Sequence, residues 1–281
     1  KVLVIGDVII DEYHYCRPYG MPQKAPVIAA QFLSAESHAG GVLAVANHLA
    51  GLCGRVHVVT CLGGLDPQEE FVRRHLRPNV TAELLVRADA PTTVKRRYLR
   101  KFLVQKLFEI SFYNDEPLPP AVETLAAKYL EAVASDYDLV VVADYGQGFI
   151  TRALIDVICR RSRYLAVNTQ LNSINFGYHV ITKYPRADYA CVDEEESRMA
   201  CRDRFGPVQE LVKHLARELE CRTMTVTRGH HGSLTFQPGQ PMAAVPVLSR
   251  EVVDTIGAGD AYFAVSAPCA SLVFSPEVTG F

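Results

Sequence analysis

Short, continuously apolar runs alternate with longer stretches in which apolar residues recur every three or four positions. Residues 1–5 run apolar into Gly6, and residues 56–60, 138–143, 164–167, 187–192 and 224–227 repeat that pattern between turn residues. Runs of this kind are strands covered on both faces. Between them, residues 42–52, 68–76, 121–134 and 151–161 carry helical periodicity. The alternation predicts an α/β fold with a mostly parallel central sheet and helices on both of its sides. Two segments break the rhythm. Residues 12–38 and 91–113 alternate apolar and polar positions around turns at Pro18, Gly20 and Pro22, which predicts a small separate β-sheet, a lid over the site.

Composition narrows the class. The 281 residues carry a formal net charge of -2 and are 49% hydrophobic, with no compositional break to mark a linker, so one domain with an appendage is expected. That charge offers no basis for nucleic acid as a main partner. Eight scattered cysteines form no C-x-x-C pair and read as reduced thiols, which places the protein in the cytoplasm. No run of about 20 apolar residues suggests a membrane span. The sequence opens in a strand at Lys1 without methionine and stops soon after its most informative stretch, so one module of a longer polypeptide is expected.

That stretch is Asp254-Thr255-Ile256-Gly257-Ala258-Gly259-Asp260, followed by an apolar helix. Small residues at a helix start leave the amides of Gly257, Ala258 and Gly259 free to meet an anion. Asp260, directly behind them, can take a proton from an attacking hydroxyl. The plainer alternative is a small-residue turn feeding a core helix, but the string is longer and more constrained than a lone Gly-x-Gly. A dinucleotide site is disfavoured because the first strand lacks G-x-G-x-x-G, and no Walker Gly-Lys-Ser/Thr occurs.

The string resembles the second signature of the ribokinase-like, or PfkB, carbohydrate kinases, and further matches cover nearly the whole chain. The resemblance implies a three-layer ribokinase-like sandwich with a β lid, ATP and Mg2+ as cofactors with a monovalent cation left open, and a sugar or sugar phosphate as acceptor. It makes Asp260 the catalytic base and the preceding amides the anion hole. Asp11 and the Gly40-Gly41 pair match sugar-contacting positions; the asparagine expected after that pair falls on Ala44, with Asn47 one turn later. Thr227, Gly229 and Gly232, in a Thr-Arg-Gly-x-x-Gly string, match the nucleotide-phosphate turn, with Asp254 and Thr255 on the same side. Asp193 and Glu196 match the family's Asn-x-x-Glu, which organises magnesium through water; a helix N-terminus satisfying its dipole explains the same residues equally simply.

Three features are similar to the heptose-phosphate kinase branch. One is the segment 21–27, with Lys24 where that branch has Glu. Another is Pro-Thr-x-x-Lys-x-Arg at residues 91–97, in which Lys95 or Arg97 could hold an anionic group; a solvated sheet edge is the competing reading. The third is Asp144-Tyr145-Gly146-Gln147-Gly148, where Asp144 could serve substrate or metal and Gln147 replaces a lysine. Asn168-Thr169-Gln170 stands where relatives have Asp-Pro-Lys. The resemblance further implies a homodimer paired through lid edges, a kinase domain over residues 1–281 incomplete at its C-terminal end, and fusion to another enzymatic domain. The departures leave a second class open, a kinase-like domain that only binds a ligand.

Overall fold

The computed structural model describes residues 1–20, 27–101, 105–172, 175–248 and 256–281. The segment around Lys24, and Asp254 and Thr255, lie outside the described residues. In chain order the elements are β1 (Val2–Gly6), β2 (Val8–Gly20), β3 (Ala29–Gly41), α1 (Val42–Leu49), β4 (Val56–Gly63), α2 (Glu69–His75), β5 (Val80–Arg87), β6 (Val94–Arg100) and β7 (Gln105–Phe112). They continue as α3 (Pro120–Val133), β8 (Leu139–Asp144), α4 (Arg152–Arg161), β9 (Leu165–Thr169), β10 (Tyr189–Asp193), α5 (Glu194–Cys201), α6 (Val208–Glu218) and β11 (Thr223–Thr227). The last are β12 (Ser233–Phe236), β13 (Ala243–Val245), α7 (Ala258–Ser271) and α8 (Pro276–Gly280).

Nine strands form the large sheet in the order β13-β12-β11-β10-β9-β8-β1-β4-β5. From β11 through to β5 every pairing is parallel, and only the β11–β12 and β12–β13 pairings are antiparallel. The continuous apolar runs have their cause in this arrangement. Along β1, Leu3 and Ile5 face a core built with Leu130, Leu154, Ile158 and Leu215, while Val2 and Val4 face another with Leu43, Ala46, Phe263 and Ala267. A sheet buried on both faces between helices makes the architecture three-layered.

The second sheet has the order β3-β2-β6-β7, with β2 and β6 parallel and the outer pairs antiparallel. The basic stretch 94–100 is therefore an inner strand, not a solvated edge. Its positive charge is matched across the sheet: Arg96 bonds Glu12 at 2.6 Å, and Arg97 pairs with Asp11 and, at 2.8 Å, with Glu109.

The carboxyl ends of β1 and β8 meet where the chain order reverses, and two buried carboxylates organise that edge. Asp7 accepts N–H bonds from Tyr145 (3.0 Å), Gln147 (3.4 Å) and Phe149 (3.2 Å), so it holds the loop after β8. Its carbonyl also accepts the first helical N–H of α1, from Val42, at 3.0 Å. Gly41 makes that approach possible: at φ +55° it has no side chain, where a Cβ would meet the Asp7 carbonyl oxygen at 2.6 Å. Burial, reinforced by the neighbouring Asp144, pushes the Asp7 carboxyl up to about 6. Asp144 is 1% exposed and bound by Lys183 Nζ (2.6 Å), His179 Nε2 (3.2 Å) and Tyr184 Oη (2.5 Å). Burial alone would raise its pKa, but the Lys183 charge and the His179 bond hold it well below the usual carboxylate range.

Asp144→Asn leaves the half-buried Lys183 and the buried His179 without their counter-charge and is expected to cost about 3 kcal/mol in urea denaturation. The folded pKa lies below the ordinary aspartate value of 3.8, so this carboxylate's stabilisation is complete above that pH and is lost as the pH falls further. The variant should lack that portion of the acid dependence. Equal stability of variant and wild type at pH 7 would contradict the assignment.

Candidate active site

Two clefts open on the carboxyl edge of the large sheet. The first, about 380 Å³, lies between the second sheet and the start of α7 and is lined by Asp11, Gly40, Gly41, Lys95, Arg97, Gly257, Gly259 and Asp260. Strand alternation puts Asp11 and Tyr13 of β2 and Lys95 and Arg97 of β6 on the same face of the second sheet. Gly40 is required by a neighbour, since a Cβ there would stand 2.0 Å from Asp11 Oδ2. Ala44 lines this cleft, whereas Asn47 does not. Asn47 bonds the His75 carbonyl (2.8 Å) and the Arg77 N–H (3.0 Å), tying α1 to the turn after α2, so it does not replace the missing asparagine.

Asp260 opens the first turn of α7 behind Gly257, the helix N-cap at φ +75°. First-turn N–H groups have no intrahelical partner, and a Cβ built on Gly259 meets nothing within 4 Å. The space in front of these amides is thus open to an anion. Asp260 is 8% exposed, and burial raises its carboxyl to about 6, opposed by a hydrogen bond from Tyr145 and by the Lys95 charge. Lys95 Nζ makes no ion pair among the described residues. Arg97 is committed to Asp11 and Glu109.

The second cleft, about 620 Å³, is lined by Thr227, Gly229, Gly232, Asp193, Glu196, Ala258 and Gly259, with Val245, Val247 and Tyr262 as apolar wall. Gly232, at φ +78°, would drive a Cβ to 1.9 Å from the Val245 carbonyl oxygen, so the turn before β12 accepts only glycine. The cleft is walled mainly by apolar groups and reaches the amides at the start of α7. Asp193 and Glu196 border this cleft as a reciprocal capping box: Asp193 Oδ1 takes the Glu196 N–H (2.7 Å), and Glu196 Oε2 takes the Asp193 N–H (2.8 Å). Glu196 Oε1 takes the Leu171 N–H at 2.9 Å. Burial pushes Glu196 up to about 7. Each of its oxygens already accepts one N–H, so Glu196, like the second oxygen of Asp193, fits an ion held through water better than a bare one. No group of three or more metal-ligating side chains occurs among the described residues.

The structure therefore brings Asp11, Gly40, Gly41, Lys95, Arg97, Gly257, Gly259 and Asp260 to one cleft, and Thr227, Gly229, Gly232, Asp193, Glu196 and Ala258 to its neighbour. Asp144 lines neither; its carboxylate is enclosed by Lys183, His179 and Tyr184. Gln170 was passed over by motif reading, which saw only a departure. Gln170 and Gly259 line both clefts, and Gln170 also borders a third, acidic one with Asp193, Glu195 and Glu196. The signal available in the sequence was its place just past a strand's carboxyl end.

Comparison with known proteins agrees with this geometry. The pattern of the pfkB family carbohydrate kinases matches residues 1–269. The bifunctional protein HldE of Azotobacter vinelandii is 31% identical over 263 residues, covering 92% of this chain and 53% of that protein. HldE of Citrifermentans bemidjiense is 27% identical over 270 residues, covering 94% and 54%. The chain thus spans about half the length of these curated relatives. Among solved structures, phosphofructokinase-2 from Escherichia coli superposes with a TM-score of 0.77 at 13% identity, over 99% of this chain and 90% of that one. Arabidopsis thaliana ribokinase, complexed with ribose and ATP, gives 0.70 at 17%, over 99% and 88%. At these identities the structures speak for the fold alone. The family match and the HldE relatives establish more: the chain belongs to the pfkB family of carbohydrate kinases.

Proposed function

We propose that this kinase transfers the γ-phosphoryl group of ATP to a hydroxyl of a sugar or sugar phosphate held beneath the second sheet, which acts as the lid. The observation that carries this reading is the meeting of the two clefts at Gly259 and Gln170, with the Asp260 carboxylate on the acceptor side of the junction. Asp260 takes the proton from the acceptor hydroxyl, whose oxygen then bonds to phosphorus as the bond to the ADP oxygen breaks. The amides at the start of α7 receive the negative charge that spreads over the transferring oxygens. When bound, ATP supplies the phosphoryl group and Mg2+ neutralises its charge, with Asp193 the residue that would hold the hydrated ion.

Lys95 is the group we assign to an anionic part of the acceptor. Arg97, paired with Asp11 and Glu109, instead fixes the Asp11 carboxylate for sugar hydroxyls. Homodimerisation through the far face of the lid completes the reading; Phe32, Phe108 and Ile110 there are 57%, 44% and 43% exposed.

ADP release across a panel of sugars and their phosphates tests the proposal. One acceptor should stimulate turnover, and Asp260→Asn should lower kcat by about 10²–10⁴-fold. The base works only when ionised, so kcat/KM should fall as the pH drops below about 6. ATP binding without stimulation by any acceptor would favour the ligand-binding alternative.

Lys95→Met should raise KM for a phosphorylated acceptor by roughly 10- to 100-fold while leaving its unphosphorylated counterpart nearly unaffected. An equal loss on both would remove Lys95 from anion recognition.

A further inference from the structure

The loop after β8 carries a tyrosine that the phosphoryl-transfer scheme does not use. Tyr145 is 2% exposed, and its hydroxyl donates to Asp260 Oδ1 at 2.8 Å, across 115 residues of sequence. Its main chain is fixed from both sides. The N–H is held by Asp7 Oδ2 at 3.0 Å, and the carbonyl accepts from Asn172 Nδ2 (3.1 Å) and Asn175 Nδ2 (3.0 Å). Gly146 follows at φ +66°, where a Cβ would strike Asn175 Nδ2 at 2.4 Å, so the two asparagines can close over the loop only because that residue is glycine. A phenol held this rigidly has one hydrogen to give, and among the described residues it goes to Asp260.

We infer that Tyr145 is a positioning residue for the base: by occupying Asp260 Oδ1 it fixes the carboxylate rotamer and leaves Oδ2 as the oxygen that meets the acceptor hydroxyl. This rests on the assignment of Asp260 as base. A carboxylate with two equivalent free oxygens can rotate away from a reacting proton, whereas one tethered through a charge-assisted bond is held in line. The bond also favours the ionised form of Asp260, countering the burial that disfavours it. Burial keeps the Tyr145 hydroxyl protonated, with its pKa raised well above 10, so it remains a donor at any working pH. Among the described residues the other charged or titratable groups facing the cleft are Asp11 and Tyr13 on β2, His38 on β3, and Lys95 and Arg97 on β6, and Asp7 lies against the Tyr145 main chain. A change confined to the Tyr145 hydroxyl leaves all of these in place.

The test is the pH profile of kcat and kcat/KM for Tyr145→Phe beside wild type and Asp260→Asn. Tyr145→Phe should lower kcat by about 10- to 100-fold, keep KM for the acceptor within about threefold, and move the acid limb upward from about pH 6 toward pH 7. Replacement of Tyr145 by 2,3-difluorotyrosine, of similar shape and a stronger donor, should move that limb downward. Opposite displacements by two near-isosteric changes are not expected of a residue that merely packs, and the fluorinated protein decides the matter if the phenylalanine variant folds poorly. An unmoved acid limb in both proteins overturns the proposal. A raised acceptor KM with kcat and limb unchanged also overturns it and makes Tyr145 a sugar contact. Full turnover by Asp260→Asn would overturn the base assignment itself, and the positioning role with it. Loss of turnover in Asp260→Asn beside an unaltered Tyr145→Phe would reject only the positioning role.

Discussion

The buried carboxylate of Asp7 is the constraint on which the carboxyl edge depends. It sits at the end of β1, an inner strand of the large sheet, and gathers three N–H groups from a loop that would otherwise have nowhere to bond. Its own carbonyl begins α1. One residue thus fixes the helix that floors the acceptor cleft and the loop that reaches Asp260. A buried acid with a raised pKa is costly, and the three N–H bonds are what offset that cost. The structure places Asp7 as the anchor for the loop after β8.

The neighbouring acid, Asp144, illustrates how an identical side chain one strand away takes a different electrostatic fate. Asp7 has only neutral donors, whereas Asp144 has a lysine and a histidine, and their pKa values move in opposite directions. Between the two sits Tyr145, whose backbone belongs to one acid and whose hydroxyl belongs to Asp260. The clefts on either side of Gly259 are built from segments far apart in sequence, and what brings them together is strand order, not local signal.

Much of the fold was legible because buried strands and amphipathic helices have different periods. The runs at 1–5, 138–143 and 187–192 fall in β1, β8 and β10, and the small-residue string at 257–260 is the start of α7. Motif spacing also located many of the cleft-lining residues, since glycines such as Gly232 and Gly257, at positive φ, answer backbone demands that leave a trace in sequence. Pairing across strands was less legible. The basic run of β6 looked like a solvated edge because the partners that neutralise it, Asp11, Glu12 and Glu109, lie on β2 and β7. Asn47 looked like a displaced ligand and is a helix-to-turn tether.

The passage from the large sheet into the small one has a mechanical meaning. β1 ends at Gly6 and β2 begins at Val8, so a single residue separates the two sheets, and that residue is Asp7. The small sheet is therefore cantilevered from the core with its root clamped, and no slack loop exists at that root to serve as a hinge. Any closing movement must be taken up as elastic bending and twist along the thirteen residues of β2, greatest at the far end and least beside Asp11. Asp11, which lines the first cleft, thus sits beside the clamped root, where such bending is least.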